Sequence, residues 1–212
     1  NHSTIWSIIM ANYHDIRYNF AIGSGADVGA MKLIKTVTAS SSGTLSFVDG
    51  TDDVVLDSTY RTYIFKFIAI HPGTDNTDFV FQGNVAGGSG YNETMTTTTW
   101  QPYHNEADTD VGAPAYDTSD DQAQGTGFQQ LLKNLGTDND QNSSGELWLF
   151  NPSNTTFVTH FLAVGNSYNH NDYTNQNFTA GYFNLTGAID EIQFKMTSGN
   201  IDAGTIKLYG IA

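Results

Sequence analysis

The most ligand-like stretch of this chain is Asp138-Asn139-Asp140-Gln141-Asn142-Ser143-Ser144-Gly145-Glu146. Alternating oxygen side chains in a turn can converge on a hard cation, so Asp138, Asp140, Asn142 and Glu146 are candidate calcium ligands. The spacing departs from an EF-hand loop: Ser143 stands where the sixth-position glycine belongs, and Leu149 where the bidentate glutamate belongs. A solvated connection between two elements is the competing reading. Calcium is the one cofactor the residues suggest.

Other chemistry is sparsely provided. Glutamate occurs only at Glu93, Glu106, Glu146 and Glu191, and no carboxylate pair stands in an apolar, strand-end context of the kind a glycosidase uses to raise one pKa. No Gly-x-Ser-x-Gly nucleophile elbow occurs. The six histidines are scattered without a metal-type doublet, and His160, in an apolar strand, reads as a hydrogen-bonded structural residue. With no cysteine, thiolate nucleophiles, zinc-thiolate sites and disulfides drop out together. The spacing Gly23-x-Gly25-x-x-x-Gly29 fails as a dinucleotide fingerprint, because Val28 takes the third glycine position and a strand-like run comes next where a helix is needed. The expectation is a protein that is not an enzyme.

Two surface features remain. Asn-x-Ser/Thr triplets mark Asn92, Asn142, Asn154, Asn177 and Asn184, as well as Asn1, as N-glycosylation positions if the chain is secreted, although a chain so rich in Asn, Ser and Thr generates such triplets by chance. The segment Tyr168-Asn169-His170-Asn171-Asp172-Tyr173 is aromatic and polar together, a composition that suits stacking on sugars or an ordinary loop.

The elements that must position these residues read as strands. Ile192, Phe194 and Met196 alternate with Gln193 and Lys195, and Ile206 and Leu208 alternate with Thr205, Lys207 and Tyr209, the period-two pattern of a sheet with one buried face. Leu33 to Thr38, Leu45 to Val48, Val54 to Leu56, Tyr63 to Ile70, Phe79 to Phe81 and Tyr91 to Trp100 continue the series. Leu147 to Phe150 and Thr156 to Val164 flank Asn151-Pro152-Ser153-Asn154 as a hairpin. Residues 104–127 are polar, acidic and without periodicity, so they read as a long surface loop. Phe128, Leu131, Leu132 and Leu135 fall at helical spacing ahead of Gly136 and predict one short helix. The strands Tyr63 to Ile70 and Thr156 to Val164 carry apolar residues on both faces, which a sandwich sheet with one wet face does not need. A neighbouring molecule is expected to cover part of that second face.

Residues 1–30 differ in character from the rest of the chain: Ile5, Trp6, Ile8, Ile9 and Met10 make an apolar cluster, and Gly23 to Gly29 a flexible connector. They read as an arm that docks on another subunit, as an added strand, or that folds back on its own domain. Residues 31–212 read as a single β-sandwich domain. A net charge of −14 with only 8 Lys and Arg argues against nucleic acid and against an anionic membrane surface, since both need clustered cations. No run approaches the roughly 20 apolar residues of a membrane span.

Several phrases carry a resemblance. MKLIKTVTASSSGTLSFVDGTDDVVLDSTY from Met31, GELWLFNPSNTTFVTHFLAVG from Gly145, and AIDEIQFKM followed by SGNIDAGTIKLYGI near the end are similar to uncharacterised structural, virion- or tail-associated proteins of tailed phages from aquatic samples. The resemblance covers most of the chain from Met31 on and none of the arm. It implies a component of a particle, found in a virion or extracellularly, without implying any catalytic residue. The combined expectation is an all-β, antiparallel β-sandwich of jelly-roll type with one short helix and an extended N-terminal arm. Its partners would be copies of itself, in a particle, fibre or other filament. The alternative is a carbohydrate-binding, lectin-like module of a host-recognition appendage, with cell-surface carbohydrate as the partner.

Overall fold

A computed structural model of the chain describes residues 31–211, and the predicted arm lies outside them. Thirteen strands succeed one another: β1 (Met31–Thr38), β2 (Leu45–Val48), β3 (Thr62–Pro72), β4 (Thr77–Val85), β5 (Met95–Asn105), β6 (Val111–Tyr116), β7 (Ala123–Gly125), β8 (Gln129–Leu135), β9 (Ser143–Phe150), β10 (His160–Tyr168), β11 (Tyr173–Phe183), β12 (Ile189–Met196) and β13 (Ile201–Ile211). All pair antiparallel. They form a nine-stranded sheet in the order β1-β13-β3-β9-β10-β11-β5-β6, with β7 also on β5, and a four-stranded sheet in the order β2-β12-β4-β8. The first four strands alternate between the sheets, and the last two return beside the first two, β12 next to β2 and β13 next to β1.

The two sheets close over one core because their facing positions are aromatic. Phe47, Phe79, Phe81 and Phe194 come from the small sheet, and Phe65, Phe67, Phe161 and Phe183 from the large one. Phe194 sits at the centre, with ring centroids of Phe65, Phe67 and Phe79 at 5.4, 5.3 and 5.6 Å, the first two edge-on and the third stacked. Such pairs add specificity beyond their buried area.

The predicted helix over residues 128–135 is instead the strand β8, an edge of the small sheet. Its pairing with β4 slips register twice, at Thr77/Phe79 and Phe79/Val80, and Asn134 has φ of 56°. These irregularities interrupt the period-two alternation and bury Gln129, Leu131, Leu132 and Leu135 together. A bulged strand thus imitates helical spacing. A similar bulge at Ala69, with φ of 51°, turns Ile70 into the core beside Phe67, where strict alternation would put it outside.

Three further expectations change. Val54 and Leu56 are buried, but in a turn held by Asp49, whose Oδ1 accepts from the Leu56 N–H at 2.8 Å. The supposed loop over residues 104–127 contains β6 and β7, an edge pair on β5 in which Pro114 is tolerated because an edge strand need not donate on both sides. The hairpin at Asn151 to Asn154 exists, but its second strand begins at His160 instead of Thr156.

Candidate functional site

The outer face of the large sheet is where the apolar residues left over from the core collect. The register across β9, β10, β11 and β5 sets three rows side by side: Phe150–His160–Tyr182–Thr96, Trp148–Leu162–Ala180–Thr98, and Glu146–Val164–Phe178–Trp100. Period two puts them there, since Leu147, Leu149, Phe161 and Ala163 on the same strands point into the core. Together the rows shape a groove of ≈ 580 Å³. A second hollow of ≈ 370 Å³ adjoins it around Phe150, His160 and Tyr182. Leu162, in a central strand, keeps 51% of its surface exposed and Trp100 keeps 39%. Trp100 lies flat on Phe178, with centroids 3.9 Å apart and planes 8° from parallel.

One side of the groove is polar and fixed. Lys66 Nζ donates to Glu146 Oε2 at 3.0 Å, and Trp148 Nε1 donates to Glu146 Oε1 at 2.8 Å. Burial works against the Glu146 carboxylate, yet the indole and ammonium donors outweigh it and hold its pKa below the ordinary value. The Trp148 ring is therefore anchored by its polar edge. The ≈ 580 Å³ groove itself is lined by no ionisable group and offers few hydrogen-bonding side chains, Thr98 among them.

A second, polar hollow of ≈ 320 Å³ opens at the far end of the same sheet, lined by His104, Asn105, Glu106, Asn166, Tyr168, Tyr173 and Thr174. It gathers two residues of the predicted sugar-stacking segment. Desolvation, then Glu106 and the neighbouring carboxylates, push the Tyr168 phenol up to about 12. Tyr173 Oη donates to Asp110 Oδ2 at 2.9 Å.

A cluster that the sequence did not announce lies beside the groove. Lys133 Nζ reaches Asp117 Oδ2 and Asp120 Oδ2, each at 2.6 Å. Burial raises the Asp120 pKa, while at Asp117 the same effect is overcome by Lys133 and Ser119, so that carboxyl is held well below the usual range. For Lys133 too, burial is outweighed by its two carboxylate partners, and its pKa rises. Two carboxyl groups with pKa values driven apart are what acid–base catalysis needs. Here both carboxyl groups are engaged by one lysine and by each other, and the trio ties the loop after β6 to β8. The signal was hidden because Lys133 belongs to a segment whose spacing suggested a helix.

The candidate calcium ligands are not brought together. β9 begins at Ser143, so Asn142 and Glu146 are separated by extended chain, roughly 13 Å at the usual rise per residue. Glu146 is committed to Lys66 and Trp148, and Asn142 is exposed. Among the described residues no group of three or more His, Asp or Glu side chains is placed to hold a metal ion. Of the sequons, Asn92, Asn142 and Asn184 are exposed and Asn154 is half-buried, with its Oδ1 accepting from the Thr156 and Phe157 N–H groups. Asn177 is only 7% exposed and points inward, its amide donating to Ser167 Oγ and the Asn175 carbonyl, which removes it as a glycan acceptor. Ile5, Trp6, Ile8, Ile9 and Met10 lie outside the described residues. Comparison with protein-family models, curated proteins and solved structures finds no match to this chain.

Proposed function

We propose that this chain is a non-enzymatic building block that packs against copies of itself in a virion component or an extracellular fibre- or tube-like polymer. The observation that carries the reading is the apolar groove around Leu162, Trp148, Phe178 and Trp100, whose lining holds no ionisable group and whose one bordering charge, Glu146, is paired with Lys66, on a chain of net charge −14. Copies so strongly acidic repel one another over most of their surface. They can approach at low cost only where charge is missing, and a contiguous apolar patch marks a surface that gains from being covered. The alternation of strands between the sheets supports a jelly-roll reading of the sandwich, an architecture that leaves one broad sheet face free for a neighbour. The phage resemblance of the phrases from Met31 onward agrees with this role. Light scattering on the full chain over a wide concentration range tests it: mass should climb with concentration, and a constant monomer mass overturns it.

A second reading rests on the polar hollow. Two tyrosines, two asparagines, a histidine and a glutamate converge there, a set that can stack on a sugar ring and bind its hydroxyls. Glycan-array binding that vanishes in Tyr168→Ala, with assembly unchanged, would favour a carbohydrate-binding module.

A further inference from the structure

We propose that the ≈ 580 Å³ groove over β9, β10, β11 and β5 is the seat of the apolar segment Ile5–Met10 donated by a neighbouring copy. The inference rests on the self-assembly reading and names the contact that would make it. Groove and segment match in chemistry. Ile5, Trp6, Ser7, Ile8, Ile9 and Met10 carry no ionisable group, and neither does the lining of the groove, in a chain with 22 acidic residues. Each of the two apolar pieces lowers its free energy by covering the other, with no charge to desolvate on either side.

The chain also enters the fold at the right place. Met31, the first described residue, pairs with Ile211, and the register continues through Thr62 and Phe150 to His160 and Tyr182. The described chain therefore starts at Met31 in the same cross-strand row that forms one end of the groove region. From β1 to β10 is four strand spacings, or roughly 19 Å. Six extended residues would cross that gap, at about 3.3 Å each. The connector from residue 11 to residue 30 reaches about 66 Å when extended. That surplus lets the segment reach an adjacent copy, whereas docking on its own sheet would leave most of it slack.

The chain has no cysteine, so engineered thiols report the contact without background. Full-length Ile8→Cys and a mass-tagged Leu162→Cys are mixed and oxidised, with Ser46→Cys, exposed on the outer side of β2, replacing Leu162→Cys as the control. The expected result is a disulfide between Ile8→Cys and Leu162→Cys chains that is lost with the Ser46→Cys control. Equal bonding to both positions overturns the groove as a specific seat. A double variant that closes only within one chain, at every concentration, overturns donation between copies. Assembly by light scattering without the Ile8–Leu162 cross-link removes the groove assignment and leaves self-assembly standing, while a full chain that stays monomeric removes self-assembly itself.

Discussion

Replacing Leu162 by aspartate separates the two things its position does. The residue is the third of β10, flanked on the outer face by Trp148 and Ala180, with 51% of its surface exposed. Fully burying a leucine contributes about 1.5–3 kcal/mol, so the half still open has about 1 kcal/mol left to give when a neighbour covers it. Leu162→Ala should therefore weaken association only about fivefold. Leu162→Asp adds a carboxylate that must lose its water inside an uncharged groove, at a cost of several kcal/mol without a partner cation. A total of at least about 3 kcal/mol corresponds to a loss of more than a hundredfold in the association constant. Fold stability, by contrast, should change by no more than about 1 kcal/mol, the range of side-chain preference at an open strand position. Sedimentation velocity reads the first effect and urea unfolding the second. Leu162→Asp that assembles as wild type refutes the interface. A large loss of fold stability with it would show that the face is already covered within the chain.

Other perturbations probe the same geometry. Phe194→Ala empties the centre of the aromatic core and should cost about 3–5 kcal/mol, seen as a lower urea midpoint at constant slope. Gly145 and Gly165 face each other across β9 and β10, and a Cβ at Gly165 would lie 2.4 Å from Leu132 Cδ2, so Gly165→Ala should destabilise by about 1–3 kcal/mol through displacement of β8. Lys133→Met leaves Asp117 and Asp120 facing each other without their cation. An uncompensated pair of this kind binds protons more tightly folded than unfolded, so the variant's deficit should be greatest at neutral pH and shrink as pH falls and Asp120, whose pKa is already raised, takes up a proton. In the wild type the Asp117 contribution has the opposite sign: its depressed pKa stabilises above the ordinary carboxylate range and that stability is lost on acidification, which pH-dependent urea titrations will resolve. Finally, added salt should strengthen association by screening the repulsion between chains of charge −14, where an interface built on ion pairs would weaken.

What could be read from residues alone was the part governed by local alternation. β2 and, from Ile192 onward, β12 are visible because their buried positions are Leu, Phe, Ile and Met, at every second residue. β11 obeys the same alternation but fills its inward positions with Asn175, Asn177 and Thr179, all buried, the last two with side chains that donate hydrogen bonds, so hydrophobic periodicity passes over it. β8 failed for the opposite reason, since bulges gave a strand the leucine spacing of a helix. The apolar second face was legible from Leu162 and Val164, although its extent was not: Trp100 and Phe178 stand 78 positions apart in sequence and meet only through the β11–β5 register. The candidate calcium ligands were legible as side-chain types, while the backbone course that spaces them was not. An extended β9 separates ligands that a curled loop would gather.

Electron microscopy of the concentrated full-length chain tests the central claim most directly. A regular fibre, tube or shell that disappears in Leu162→Asp is the expected result; a field of single particles of one-chain size, identical in wild type and variant, means that copies do not assemble.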